Sequence, residues 1–198
     1  MILAFLNAED WNVVWVSLQV ALCAACLCLP LATGLGWWLA RTRWRGRWLA
    51  ETLVNLPLVL PPVVTGFLLL VLFSPTGWLG YPLQHWFGIR IVLTWYAAVL
   101  AAAVVSFPLA LRPVQLAFQE ADPNLEVAAR TLGAGPWATF FQVALPLARR
   151  GVIAGWLLAF ARSLGEFGAT ITFVSNIPGE TRTLPIALYS LIQMPGGE

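Results

Sequence analysis

The sequence predicts an all-α protein, a bundle of transmembrane helices that forms one domain over residues 1–198. Apolar residues make up 60% of the 198 residues and charged residues only 10%, whereas soluble domains carry about 25% charged residues. The charged side chains are also clustered, and the apolar stretches between the clusters reach the roughly 20 residues that a helix needs to cross a bilayer. Together these observations predict a polytopic membrane protein.

The first predicted span covers about residues 12–40, a stretch without a charged side chain. It is too long for the apolar core of a signal peptide, and no positive residue precedes it. Glu9 and Asp10 come before the span, and four arginines follow it between positions 41 and 47. The positive-inside rule therefore predicts an outer amino terminus and a cytoplasmic arginine loop.

The second predicted span, about residues 52–73, returns outward and is rich in helix breakers, which are Asn55, Pro57, Pro61, Pro62 and Gly66. Carbonyl groups freed by proline cannot stay unpaired against lipid, so this span should pack against protein or line a cavity. The outer loop that follows, about residues 74–90, contains several aromatic residues typical of a membrane interface and room for a short amphipathic helix.

The third predicted span runs inward over about residues 91–111 and ends near Arg112 and Pro113. A cytoplasmic loop over residues 120–148 precedes the fourth span, about residues 151–174. A partial apolar segment covers residues 184–194. Because an odd number of spans leaves the chain outside, we expect a further membrane helix beyond Glu198.

The fourth span holds the only ionisable residues predicted inside the bilayer, Arg162 and Glu166, which lie one helical turn apart and can pair. Charges at this depth usually face the bundle interior or a wet pathway. The pair either fixes helix packing or lines a translocation path, and the sequence leaves both alternatives open. The candidates for the path are Arg162, Ser163, Glu166, Pro61 and Pro62.

The cytoplasmic loop carries the signals of two short helices with a glycine elbow. Asp122 can cap a helix that begins at Pro123 and has Glu126 near its positive end. Gly133 and Gly135 can turn the chain, Pro136 can open a second helix, and Pro146 is expected to end it. These signals predict a compact knob projecting from the bilayer.

This loop resembles the EAA-x3-G-x9-I-x-L-P loop of permease subunits of ABC importers. Ala128 and Ala129 stand at the two alanines, Gly133 at the glycine, and Leu145 and Pro146 complete the motif, whereas Val127 replaces the glutamate and Glu126 lies one residue earlier. In that family the loop seats in a groove of a cytoplasmic ATPase subunit. The resemblance implies docking contacts from Glu126, Ala128, Ala129, Gly133, Gly135, Leu145 and Pro146.

Two further segments, LPLVLPPVVTGFLLL at 56–70 and ARSLGEFGATITFVSNIPGETRTLP at 161–185, look like the molybdate importer permease family, which belongs with the sulfate and tungstate permeases. The resemblance covers nearly the whole chain. It implies the type I ABC importer fold and molybdate import across the bacterial inner membrane by alternating access. The implied partners are a second copy of the chain, two ATPase subunits that bind ATP and Mg²⁺, and a periplasmic molybdate-binding protein.

Composition argues against other classes of protein. All 11 basic residues are arginine, so the P-loop lysine is missing and ATP would have to bind to another subunit. A net charge of +2 argues against a nucleic-acid partner, and one histidine without a cluster of acidic residues argues against a catalytic or metal site. The remaining alternatives are a sulfate, thiosulfate or tungstate permease and, in another class, an ion-driven secondary transporter, whose internal repeats are not visible.

Overall fold

The computed structural model describes residues 8–42, 44–177 and 180–193. These residues form ten α-helices and one π-helical turn, Phe140–Ala144, and contain no strand. The helices are α1 Ala8–Arg41, α2 Arg47–Val59, α3 Pro62–Phe73, α4 Gly80–Phe87, α5 Trp95–Glu120, α6 Pro123–Thr131, α7 Pro136–Thr139, α8 Leu145–Leu164, α9 Gly168–Val174 and α10 Leu184–Ile192. The predicted all-α fold is confirmed.

Three long helices, α1, α5 and α8, form the core of the bundle. Their contact faces are built largely from alanine and other small residues, such as the fully buried Ala24 and Ala102. A side chain at Gly155 of α8 would place its Cβ 2.5 Å from the carbonyl oxygen of Ala110 in α5, so the two backbones meet there. Small residues at helix contacts are what close packing in a bilayer requires.

The second predicted span is not one helix. It divides at Leu60 and Pro61 into α2 and α3, whose axes differ by 113°. Pro61 and Pro62 are the cause, because neither can donate a backbone hydrogen bond and each restricts the residue before it to extended conformations. Leu60 and Pro61 accordingly adopt ψ values of 139° and 135°.

The third predicted span ends later than expected. Helix α5 begins at Trp95, where the Thr94 hydroxyl accepts a hydrogen bond from the Ala97 amide, and continues beyond Pro113 to Glu120. Proline in a helix interior costs about 3 kcal/mol. The cost is offset by burial of the residues that follow, including Val114 and Phe118, both with 0% exposure.

Pro146 does not end the second helix of the knob, contrary to expectation. The helix is continuous from Pro136 to Leu164, 29 residues, through α7, the π-helical turn and α8. In the π-helical turn the Leu145 amide donates to the Phe140 carbonyl, five residues back. This wider turn leaves room for the Pro146 ring, which would clash with a carbonyl in a regular α-helix.

The fourth predicted span is divided in a similar way. Helix α8 ends at Leu164, a short irregular segment follows, and α9 covers Gly168–Val174. By length and apolar composition, α1, α5 and the Pro136–Leu164 helix could each cross a membrane, and the bent pair α2–α3 would make a fourth span. The short helix α4 lies in the predicted outer loop, and α10 covers most of the partial segment 184–194.

Candidate docking loop and gate

The candidate docking loop, residues 120–148 and called the docking loop below, has the helix–elbow–helix form that its sequence predicts. The Asp122 carboxylate caps α6 by accepting a hydrogen bond from the Asn124 amide at 2.9 Å. Gly133 then adopts a φ of +92°, a left-handed conformation that favours glycine. Gly135 keeps an ordinary φ of −68° and precedes Pro136, the first residue of α7. The elbow therefore depends on Gly133 rather than on both glycines.

Glu126 lies inside the protein and not on the surface of the loop. Its Oε1 atom accepts hydrogen bonds from Nε and Nη2 of Arg41, at 2.9 and 2.7 Å, and only 6% of the residue is exposed. Trp37 Nε1 donates to Oε2 at 3.4 Å, and Arg41 Nη2 also donates to the Ala121 carbonyl at 3.2 Å. Glu126 thus joins the docking loop to the end of α1, although the sequence motif had grouped it with the docking contacts.

We predict that Glu126→Gln loosens the docking loop while the bundle stays folded. The amide keeps the shape of the carboxylate but leaves the Arg41 guanidinium without its counter-charge. Losing a hydrogen bond to a charged group costs about 1.5–3 kcal/mol. Hydrogen–deuterium exchange of residues 120–135 in the purified permease should accelerate roughly tenfold or more, because about 1.4 kcal/mol corresponds to a factor of ten.

Glu120→Gln is the matched control. Glu120 is an exposed carboxylate at the end of α5 and forms no ion pair with a described residue. Its substitution should leave exchange in the loop unchanged. Equal protection in the Glu126→Gln and wild-type proteins would contradict the anchoring role.

The docking loop exposes large apolar side chains around its elbow. Around the elbow Leu132 is 89% exposed, and on α7 Trp137 is 75% exposed. The motif residues are divided between this surface and the interior: Ala128, Gly133, Gly135 and Pro146 are exposed, whereas Ala129 and Leu145 are half-buried. The motif pattern did not identify Leu132, although a leucine beside a glycine elbow in a polar loop was a usable signal.

Pro62, one of the candidates for the translocation path, lies where α3 and α9 pack together. A Cβ atom at Gly66 of α3 would come within 2.5 Å of the Ala169 carbonyl oxygen. A Cβ atom at Gly168 of α9 would come within 2.9 Å of Pro62. The two short helices are therefore in backbone contact, and each adjoins a break in its span. We call this α3–α9 pair the gate.

Glu166 lies between α8 and α9 and is 3% exposed. Its Oε1 atom accepts a hydrogen bond from the Ala169 amide at 2.8 Å, so the carboxylate caps α9. Its Oε2 atom lies 2.7 Å from Nη1 of Arg162. The predicted ion pair is present, and it links the end of α8 to the start of α9. This geometry favours the packing role that the sequence left open.

Ser163, another candidate for the translocation path, is buried between helices. Its hydroxyl donates to the Ser106 hydroxyl of α5 at 3.1 Å, and Cys28 of α1 lies 3.7 Å from the same Ser106 oxygen. These contacts join α1, α5 and α8 within the bundle. Of the five path candidates, Pro62 and Glu166 belong to the gate contacts, Pro61 precedes α3 and Arg162 pairs with Glu166.

Comparison with known proteins extends these observations. The sequence profile of the family "Binding-protein-dependent transport system inner membrane component" matches residues 32–194. The chain is 55% identical over 193 residues to the molybdenum transport system permease protein ModB of Escherichia coli K12, covering 98% of this chain and 84% of that protein. It is 53% identical over 182 residues to the ModB protein of Haemophilus influenzae, covering 92% and 80% respectively. A sulfate transport system permease protein, CysW of Synechocystis, is 38% identical over 174 residues, covering 86% of this chain and 63% of that protein.

Proposed function

Because the chain belongs to the family of binding-protein-dependent transport system inner membrane components, we propose that it is the permease subunit of an ABC importer for molybdate. The observation that carries this proposal is 55% identity to a molybdenum permease over nearly the whole chain. The apolar helices and the docking loop supply the parts that such a subunit needs. The permease forms the path for the oxyanion, and ATP is hydrolysed by a separate subunit.

The proposed orientation puts the amino terminus outside and the docking loop in the cytoplasm. In this arrangement Arg41, Arg45 and Arg47 of the arginine loop and the pair Arg149 and Arg150 lie in the cytoplasm with the docking loop, as the positive-inside rule requires. The Arg41–Glu126 ion pair supports it, because it joins the arginine loop directly to the docking loop. Helix α4 then lies on the outer side.

In the proposed complex two copies of the permease associate with two cytoplasmic ATPase subunits and with a periplasmic molybdate-binding protein. Each docking loop presents its apolar elbow to an ATPase subunit. The anchor at Glu126 means that a displaced loop would pull on α1, which packs along α5 and α8. A movement of the ATPase subunits can therefore be transmitted to the bundle through rigid helices. Coupling between distant sites requires an element with two arrangements whose balance both sites can change.

The gate is the element that moves in this proposal. The helices α1, α5 and α8 form the rigid part, and α3 and α9 are short helices bounded by breaks at Pro61 and after Leu164. Their backbone contact at Gly66 and Gly168 makes them move as one unit. Alternating access then consists of rotating this unit against the rigid helices.

The test is uptake of radiolabelled molybdate by proteoliposomes that contain the permease, its ATPase and its binding protein. We expect saturable uptake that excess sulfate leaves largely intact and tungstate inhibits. A sulfate permease is the second candidate, because the Synechocystis relative has that name at 38% identity. Efficient competition by sulfate would favour that candidate and contradict a molybdate-selective importer.

A further inference from the structure

Arg112 is an unusual residue in the bundle. It is the only charged residue of α5 between Trp95 and Gln119, and it lies two turns before the end of the helix that leads to the docking loop. Its side chain is exposed, and it lies just beyond the predicted third span, residues 91–111. The mechanism above assigns no task to Arg112.

Arg112 lines a cavity between α2 and α5 of about 530 Å³. Among the other lining residues are Arg47 and Glu51 of α2 and Gln115 and Gln119 of α5. The cavity therefore lies beside the broken second span. In the proposed orientation it is on the cytoplasmic side, since α2 follows the arginine loop and α5 leads into the docking loop.

The polar wall of this cavity is already held in place. Glu51 Oε1 accepts hydrogen bonds from Arg47 Nε at 2.9 Å and from Gln115 Nε2 at 2.8 Å. Gln115 is 5% exposed, so the amide is fixed by burial as well as by its bond to Glu51. Glu51 thus has its charge matched by Arg47.

The guanidinium of Arg112 is exposed, and the Glu51 carboxylate, already paired with Arg47, attracts it only from a distance. Its Nε donates to the neutral Asn55 Oδ1 at 3.3 Å, and among the described residues it forms no ion pair. Its remaining N–H groups are available to an acceptor, as is the exposed amide of Gln119. The charged lining residues Arg47, Glu51 and Arg112 together carry a net charge of +1.

We propose that this cavity is an anion-binding site in which Arg112 holds the transported tetrahedral oxyanion as it leaves on the cytoplasmic side. A guanidinium offers several N–H donors in one plane and forms strong, paired hydrogen bonds with oxyanions. A dianion that leaves the bundle through apolar surroundings needs such a charge along its route. The inference rests on the proposed function, because it takes the transported oxyanion as the ligand.

The same chemistry would also suit the phosphate of an anionic lipid. The structure favours the transported oxyanion, because Arg112 lines a cavity whose walls are α2 and α5. Helix α2 is joined directly to α3, which is one of the two helices of the gate. A lipid phosphate needs no such wall and would be bound equally well by Arg149 or Arg150, which do not line the cavity. Lipid composition therefore becomes one arm of the test.

The test compares wild type, Arg112→Gln and Arg112→Lys in the complete importer, with molybdate uptake and ATP hydrolysis measured together in proteoliposomes. We expect Arg112→Gln to lower molybdate uptake about tenfold, the loss typical of one charge-assisted hydrogen bond. ATP hydrolysis stimulated by the loaded binding protein should stay within about twofold of wild type. The ratio of molybdate taken up to ATP hydrolysed should thus fall in Arg112→Gln. In Arg112→Lys this ratio should lie between the Arg112→Gln and wild-type values.

Arg149→Gln is the matched control, an exposed arginine on the same side of the bundle that does not line the cavity, and its uptake should equal that of wild type. Unchanged uptake in Arg112→Gln, or an equal loss of uptake and hydrolysis, would overturn the proposal. So would a defect that appears only in vesicles with anionic lipid and disappears in phosphatidylcholine vesicles, because the lipid headgroup would then be the ligand. If the wild-type complex moves sulfate and not molybdate, the substrate assignment fails while the Arg112 comparison can still be made with sulfate.

Discussion

Replacing Leu132 by aspartate is expected to separate the permease from its ATPase. Leu132 is 89% exposed at the elbow of the docking loop, and nothing within the described chain covers it. If it inserts into an apolar site on the ATPase, an aspartate loses that contact and brings an unpaired charge into the interface. Burying an unpaired carboxylate costs about 2 kcal/mol or more, so affinity should fall by about thirtyfold or more.

The measurement is the dissociation constant of the purified permease and ATPase in detergent. Trp78→Asp is the matched control, because Trp78 is 85% exposed but lies in the predicted outer loop. Both variants should fold, since neither side chain is packed inside the protein. Wild-type affinity for the Leu132→Asp permease would remove Leu132 from the docking surface.

Replacing Gly66 by alanine is expected to disable the gate. The added methyl group would lie 2.5 Å from the Ala169 carbonyl oxygen and 2.8 Å from the Ala169 Cα atom. Both are backbone atoms, so α3 and α9 must separate by several tenths of an ångström. Overpacking of this kind costs about 1–3 kcal/mol. Because the cost applies to the packed gate, we expect uptake to fall about tenfold or more in complexes that still assemble.

Gly34→Ala is the control for a glycine in a membrane helix. A Cβ atom at Gly34 of α1 would meet no atom within 4 Å, so uptake should remain at the wild-type level. The amount of assembled complex is measured for both variants, which separates a folding defect from a gate defect. Full uptake by Gly66→Ala would mean that the contact between α3 and α9 is not needed in any step of transport.

The parts of the fold that sequence patterns predicted are those set by local chemistry. The uncharged stretch after Asp10 predicts α1, and Asp122, Pro123 and Gly133 predict the first helix and elbow of the docking loop. Arg162 and Glu166 lie four residues apart and form the predicted ion pair, although Glu166 lies just beyond the end of α8.

The predictions that were wrong concern prolines whose effect depends on distant packing. Pro113 and Pro146 do not end their helices, because buried neighbours hold α5 together and a π-helical turn accommodates Pro146. Pro61 does break its span. A single sequence does not show which proline has a compensating environment, since that environment comes from other helices.

Glu126 illustrates the same limit for a functional residue. Its partner, Arg41, is 85 residues earlier in the chain, and no local pattern links the two. The motif therefore suggested a surface contact where the fold has an internal ion pair. The contact of Gly66 with Ala169 was likewise hidden, because a glycine in a span can be read as a helix breaker or as a point of close approach.

The most direct test of the account is the energy source of molybdate uptake in proteoliposomes that contain the complete importer. We predict that uptake requires ATP on the ATPase side, stops when ATP is replaced by a non-hydrolysable analogue, and continues when ionophores abolish the ion gradients. Uptake that follows an imposed ion gradient in the absence of ATP would contradict an ATP-driven permease coupled through the docking loop.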